Sequence, residues 1–196
     1  AFLPQDAADI VLGQAKEVAG SEEGGLGLAA ITIAKAMGFK NVISVDMGQE
    51  KLAAAVDMGA DETIDVRDEA AMKAATKQAV DWHGGVDIFV ANAGISQRSA
   101  AVDTDMAVYR EIIDIDLTAQ IAATQVLLPH VTARGSGHLL FISSIAGKVG
   151  VPMRTAYCAA KFGLVGYADA LRAELSQQGV SVHVVCPGSV ATDVSR

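Results

Sequence analysis

Short apolar runs alternate along this chain with longer stretches of helical spacing. The apolar runs are Asn41–Asp46, Glu62–Val66, Val86–Ala91, His138–Ser143 and Val180–Cys186. They are rich in Val and Ile and bounded by Gly, Asp or Asn, as buried strands are. Between them the apolar positions recur with helical period over Leu26–Met37, Gln49–Met58, Asp68–Trp82, Thr104–Leu128 and Thr155–Gln178. Several of these stretches halt at Gly38, Gly59, Gly84 or Gly179, the residue type expected just past a helix end. Strand-then-helix alternation predicts an α/β fold with a doubly wound parallel sheet and helices on both faces, three layers in all. There is no internal repeat, low-complexity tract or linker, so residues 1–196 read as a single domain.

Residues 1–20 form an atypical N-terminal segment. A dinucleotide-binding, Rossmann-type sheet needs a strand directly ahead of a Gly-rich turn. Lys16-Glu17-Val18-Ala19 has the right place but is short and half polar. Asp9-Ile10-Val11-Leu12 is the better strand by pattern but lies far ahead of the glycines. Spacing favours the first. The turn itself is Gly20-Ser21-Glu22-Glu23-Gly24-Gly25-Leu26-Gly27. Gly20, Gly25 and Gly27 would let backbone N–H groups and a helix N-terminus approach a pyrophosphate. The same run also reads as an ordinary loop, and Glu22 and Glu23 would repel phosphate. About 20 residues on, the spacing at which such folds hold the ribose hydroxyls of NAD, the strand Asn41–Asp46 ends in an acid. Asp46 either does that or caps the next helix. Asp65-Val66 ends the following strand and would face the adenine amino group or stand as a solvated turn.

Composition narrows the partners. Hydrophobic residues make up 51% and aromatics 5%, so the core is chiefly aliphatic, which suits parallel strands under Ala-rich helices. The formal charge of −8 offers no basic field to a nucleic acid or an anionic membrane. No apolar run approaches the length of a membrane span and the N-terminus is not a signal peptide, so no membrane partner is expected. Cys158 and Cys186 have neither Cys nor His at metal-ligand spacing, so no metal site is expected and the chain reads as reduced and cytoplasmic. His83, His130, His138 and His183 read as structural.

The candidate chemistry lies in the second half. Tyr157 and Lys161 are four residues apart, which on a helix puts them on one face. An ammonium beside a phenol stabilises phenolate and makes Tyr a workable proton donor and acceptor. Ser144 follows the strand His138–Ser143, at the strand end where such folds bind ligands. Its hydroxyl would hold a substrate oxygen or cap a turn, with Ser143 the better candidate for a pure cap. Pro187-Gly188, with Thr192 close behind, forms a rigid turn that would lay backbone groups against a nicotinamide carboxamide.

Asn92-Ala93-Gly94, Ser144, Tyr157-xxx-Lys161 and Pro187-Gly188 followed by Thr192 occur in the order and spacing that resemble the short-chain dehydrogenase/reductase family. The resemblance implies hydride transfer between NAD(P) and a carbonyl/alcohol carbon. Tyr157 would be the acid/base, Lys161 would bind the nicotinamide ribose and tune Tyr157, and Ser144 would orient the substrate. Asn92 would help hold the central strand and the cofactor floor. It also implies a homodimer or homotetramer. The chain departs from the family at Asp116, in Asp114-Ile115-Asp116-Leu117-Thr118, where members often carry an Asn that supports a water relay to the Lys. Asp116 would pair with Lys161 or disturb that relay. The glycine turn is one residue longer than the family's pattern, and residues 24–65 also resemble the nucleotide domain of medium-chain alcohol dehydrogenases, without the zinc-ligand cysteines. Family members usually continue past Thr192 with a substrate-covering segment, whose loss would weaken water exclusion.

The expectation is an NAD-dependent oxidoreductase, with NAD preferred over NADP because Asp46, Glu22 and Glu23 repel the extra phosphate. The alternative is a dinucleotide-binding protein of the same fold with impaired or no chemistry. The substrate, an alcohol or ketone, would be chosen by the loops Ile95–Ala101 and Ala146–Met153.

Overall fold

The computed structural model describes residues 9–13, 25–46, 48–65, 69–82 and 85–188. Six strands form one sheet: β1 (Asp9–Gly13), β2 (Asn41–Asp46), β3 (Glu62–Asp65), β4 (Ile88–Ala91), β5 (Gly137–Ile142) and β6 (Val180–Val185). Their order is β3-β2-β1-β4-β5-β6, and each pair of neighbours is parallel. The direction of travel across the sheet reverses between β1 and β4, and such a switch point opens a ligand crevice at the strands' C-terminal ends.

The first strand corrects the spacing argument. Asp9–Gly13 is the central strand, with Ile10 beside Val42 of β2 on one side and Ile88 of β4 on the other. A strand with neighbours on both sides needs continuous apolar character, which Ile10-Val11-Leu12 has. Lys16–Ala19 lies outside the described residues.

Among the described residues six helices follow the five predicted stretches, α4 and α5 sharing one: α1 (Gly25–Ala36), α2 (Gln49–Asp57), α3 (Glu69–Trp82), α4 (Met106–Ile113), α5 (Ala119–Arg134) and α6 (Thr155–Glu174). Two apolar layers hold them to the sheet. On one face Ile31 and Ala34 of α1 and Ala55 of α2 pack on Val42, Ile88 and Val90. On the other, Ala79 of α3, Leu127 and Val131 of α5 and Leu164 and Ala168 of α6 pack on Ile43, Phe89, Leu139 and Phe141. The many Ala residues let helices approach closely. Phe141 is fully buried and meets Tyr167 of α6 edge-on at 5.8 Å, so its truncation to Ala would cost about 3–5 kcal/mol. Residues alternate along β5, Leu139 and Phe141 buried and Leu140 and Ile142 half-buried, whereas β4 is buried throughout.

The stretch predicted as one helix over Thr104–Leu128 runs on to Arg134 and is broken in pitch. α4 and α5 are joined without a gap by a π-turn at Asp114–Thr118. The extra residue in that turn re-aims the side chains around it. The run Met106–Arg134 is 29 residues long and apolar enough by length and composition to cross a membrane, longer than the sequence pattern indicated. Its apolar side belongs to the core, with Ala122, Ala123, Leu127 and Val131 buried.

At the N-terminal end of the sheet, His138 and His183 stack across β5 and β6, with Nδ1 and Nε2 3.4 Å apart. Burial, and then the neighbouring His183, hold His138 below the ordinary imidazole value, against the opposing pull of Asp87. A depressed folded value means that the unfolded chain takes up the proton first. Stability is therefore present above the unfolded value and lost as pH falls. Urea unfolding at about pH 7.5 and pH 5.5, either side of the free imidazole value, is expected to show this loss in the wild type and a smaller one in His138→Gln.

Candidate active site

Two carboxylates stand at the C-terminal ends of neighbouring strands. Asp46 ends β2 and is 3% exposed, and Asp65 ends β3 in register with it. Gln49 at the start of α2 donates its Nε2 to Asp65 Oδ2 at 3.2 Å. Asp46 does not cap α2, whose N-cap is Gly48 with no side-chain bond. Gly25 opens α1 and Gly27 is buried on its first turn. Gly20, Glu22, Glu23, Val66 and Thr192 lie outside the described residues.

Tyr157 and Lys161 lie on α6, with Lys161 Nζ 5.6 Å from the Tyr157 ring centroid. The Lys161 side chain is only 4% exposed and that of Asp116 not at all, and the two meet at 3.3 Å. Removing both charges from water is costly and needs further partners. Lys161 Nζ also donates to Ile142 O at 3.2 Å, and Ile95 N–H donates to Asp116 Oδ1 at 2.7 Å. The π-turn brings Asp116 to this point, and the pairing with Lys161 is the first of the two expectations for that residue.

The Asn92-Ala93-Gly94 run follows β4 directly. Gln120 Nε2 of α5 donates to Ala93 O at 2.5 Å. Gly94 has no room for a side chain: a Cβ there would stand 2.9 Å from Asp116 Oδ2 and 3.1 Å from Lys161 Nζ. The loop after β4 is thus laid over the ion pair and pinned from the helix pair α4–α5.

The capping role expected of Ser143 falls to Ser144, the second of the two roles open to that residue. Ser144 Oγ accepts from Ala146 N–H at 3.2 Å and caps a short 3₁₀ turn, Ile145–Gly147. Ser143 is buried and its Oγ donates to Lys161 O at 3.1 Å. Ser144 follows the sheet in half-buried position, so its hydroxyl serves the turn and keeps its own O–H to give. Gly147 lets the turn press on α6, since a Cβ there would meet Lys161 O at 2.7 Å. Ile145 N–H donates to Pro187 O at 2.8 Å, which seats Pro187-Gly188 beside Ser144.

Three further side chains at the start of α6 were not singled out from the sequence. Tyr157 N–H donates to Gln97 Oε1 at 3.3 Å. Arg154 Nη1 donates to Ser96 Oγ at 2.5 Å, and its guanidinium carbon lies 6.0 Å from the Tyr157 ring centroid. Arg154 closes a turn in which its N–H donates to Val151 O at 3.3 Å, with Met153 at φ 64. A left-handed conformation in a residue other than Gly costs on the order of 1–3 kcal/mol and clusters at functional sites. The signal for Gln97 was its place in the loop Ile95–Ala101 expected to choose the substrate; Arg154 stands one residue past the other expected loop, Ala146–Met153, as the N-cap of α6. Cys158 is packed away, its Sγ accepting from Val151 N–H at 3.3 Å. Among the described residues no three His, Cys, Asp or Glu side chains group as metal ligands.

The parallel sheet with its switch point agrees with comparisons to known proteins. The short chain dehydrogenase family model matches residues 18–196, and the chain belongs to that family. The match begins ahead of the glycine run and takes in residues 24–65, and the likeness of that segment to medium-chain alcohol dehydrogenases expected from the sequence is not shown. The chain is 38% identical over 133 residues to dehydrogenase/reductase SDR family member 7B of Danio rerio, covering 68% of this chain and 43% of that protein. It therefore spans less than half the length of that relative. A short-chain dehydrogenase from Streptomyces avermitilis superposes with TM-score 0.85 at 28% identity, covering 96% of this chain and 68% of that one. An actinorhodin polyketide ketoreductase solved with NADPH gives TM-score 0.83 at 29% identity, over 98% and 74%.

Removing one partner of the buried pair strands the other. Lys161→Met is expected to lower stability by about 3–5 kcal/mol, and adding Asp116→Asn to recover much of it. Urea unfolding of the two single variants and the double variant measures the coupling; additive losses would show that the pair does not act as a unit.

Proposed function

We propose that this chain is an oxidoreductase that moves a hydride between NAD(H) and the carbonyl/alcohol carbon of a small molecule. The observation that carries the reading is the buried Lys161 ammonium held 5.6 Å from the Tyr157 ring. In the reducing direction the Tyr157 phenol gives its proton to the substrate oxygen as the alcohol forms, and in the oxidising direction the phenolate takes it back. Lys161 favours the phenolate electrostatically. Ser144 Oγ–H donates to the substrate oxygen and holds it beside the phenol. Ile95, Ala156 and Ala160 form a buried apolar cluster behind these groups, which keeps water from the back of the site and strengthens the local electrostatics.

The residues present fit a dinucleotide. Gly94 lays bare backbone against Lys161, where a Cβ would collide, and a buried acid, Asp46, ends the strand next to the switch point. Gly25 and Gly27 at the start of α1 would face the pyrophosphate. Asp46 and Asp65 would take the adenosine end, and Asn92, Ala93 and Gly94 the middle. Tyr157, Lys161, Pro187 and Gly188 would take the nicotinamide end, with the family's pattern adding Gly20, Val66 and Thr192. When bound, the dinucleotide supplies or receives the hydride. The acids at the ends of β2 and β3 favour NAD, since carboxylates repel a 2′-phosphate. The polyketide ketoreductase neighbour holds NADPH, so preference within the family follows local charge. Self-association as a dimer or tetramer is part of the same reading, with the exposed Phe162 on α6 available for a contact.

Tyr157→Phe is expected to lower turnover by about 10²–10⁴-fold, the usual worth of a positioned acid–base, with NADH affinity by fluorescence unchanged. Full activity in this variant would overturn the assignment. NADH should bind more tightly than NADPH, and Asp46→Ser should narrow the gap; tighter NADPH binding by the wild type contradicts the preference. A second reading, binding with impaired chemistry, is favoured by Asp116, whose charge offsets that of Lys161. NADH binding without turnover on any alcohol or ketone would select it.

A further inference from the structure

The two loops that rim the reacting end of the site are residues 92–101 after β4 and 143–154 after β5. Between them these segments carry Arg98, Lys148 and Arg154 and no Asp or Glu, and the acids of the β4–α4 connection, Asp103 and Asp105, stand at its far end, next to α4. The whole chain has a formal charge of −8, so a local rim of one positive sign is a departure from its surroundings. Arg98 and Lys148 are exposed and Arg154 is half-buried. Two hydrogen bonds join the loops, Ser99 N–H to Met153 O at 3.1 Å and Arg154 to Ser96, and a third, Tyr157 N–H to Gln97, ties the first loop to α6.

Arg154 is the inner member of this set. Ser96 takes one of its five N–H donors. The remaining ion pairs among the described residues involve Lys35, Lys77, Arg134, Lys161 and Arg172, so no described carboxylate pairs with Arg154. The turn that delivers it has Met153 in the left-handed region. A half-buried guanidinium held in a strained turn against the reacting phenol, without a carboxylate of its own, is completed best by one that arrives with the substrate.

We propose that Arg154 binds a carboxylate carried by the carbonyl substrate, so that the substrate class is oxo acids, and that Arg98 and Lys148 steer such anions to the rim. The proposal rests on the oxidoreductase reading of the Tyr157 site and names its substrate class. The competing role for Arg154 is electrostatic support of Tyr157 alone, which would act on every substrate alike.

The test pairs 2-, 3- and 4-oxo acids with their methyl esters, assayed for kcat/KM with NADH and with NADPH. At low salt the wild type is expected to favour the acids by about tenfold or more, the worth of a charge-assisted hydrogen bond, and to lose part of that preference as salt rises. Arg154→Gln should remove the preference by slowing the acids about tenfold more than the esters, and Arg154→Lys should restore part of it. Arg98→Ala with Lys148→Ala should flatten the salt dependence. Equal rates on acids and esters, or equal losses on both in Arg154→Gln, would overturn the proposal. A binding readout separates it from the catalytic reading: the 4-oxo acid should raise the melting temperature of the inert Tyr157→Phe variant but not of that variant with Arg154→Gln added. Stabilisation of this kind without turnover by the wild type leaves the anion site standing and removes the oxidoreductase reading; no stabilisation removes the anion site.

Discussion

Lys161 and Asp116 meet where water does not reach, and four elements take their positions from that meeting. A lysine and an aspartate each lose several kcal/mol of hydration on burial, so the pair persists only where both ends are further satisfied. Ile142 O at the end of β5 and Ile95 N–H in the loop after β4 provide this. The consequence is mechanical as well as electrostatic. α6 is drawn to β5, the loop after β4 is drawn to the π-turn between α4 and α5, and Gly94 is the residue that lets them converge. Tyr157, one turn before Lys161, inherits its place from this lock.

Much of the fold was legible because its signals are local. Val- and Ile-rich runs give buried strands, and small residues at helical spacing give helices that sit close to a sheet. The Tyr157–Lys161 spacing and the order of Asn92, Ser144 and Pro187 also read directly. What misled was distance along the chain. Asp9–Gly13 has the better strand pattern, but its separation from the glycines argued against it, and sheet pairing on both sides decides in its favour. The π-turn was not read because the stretches on either side of it are each helical in period, and a single step of about 100° is comparable to the width of one apolar stripe. The division of labour between Ser143 and Ser144 turns on which hydroxyl faces α6, which depends on where the strand ends. Arg154 and Gln97 reach Tyr157 only because the turn at Met153 and the loop after β4 fold toward each other.

Charge is distributed along the crevice in two halves. Asp46 and Asp65 end β2 and β3 on one side of the switch point, while on the other side the segments 92–101 and 143–154 carry Arg98, Lys148 and Arg154 and no acid. Strand order alone produces this, since each half of a doubly wound sheet contributes its own loops. A ligand laid across the switch point would meet acids at one end and bases at the other.

The hydrogen bonds between the loops after β4 and β5 have a dynamic meaning. Ser99 holds Met153, Ser96 holds Arg154, and Gln97 holds the backbone of Tyr157 itself. Neither loop can swing outward without breaking bonds to the other and tugging on the reacting residue. The rim thus behaves as a single stiff template, and any slow step that admits or releases a molecule on this side must move the template as one body, carrying Tyr157 with it.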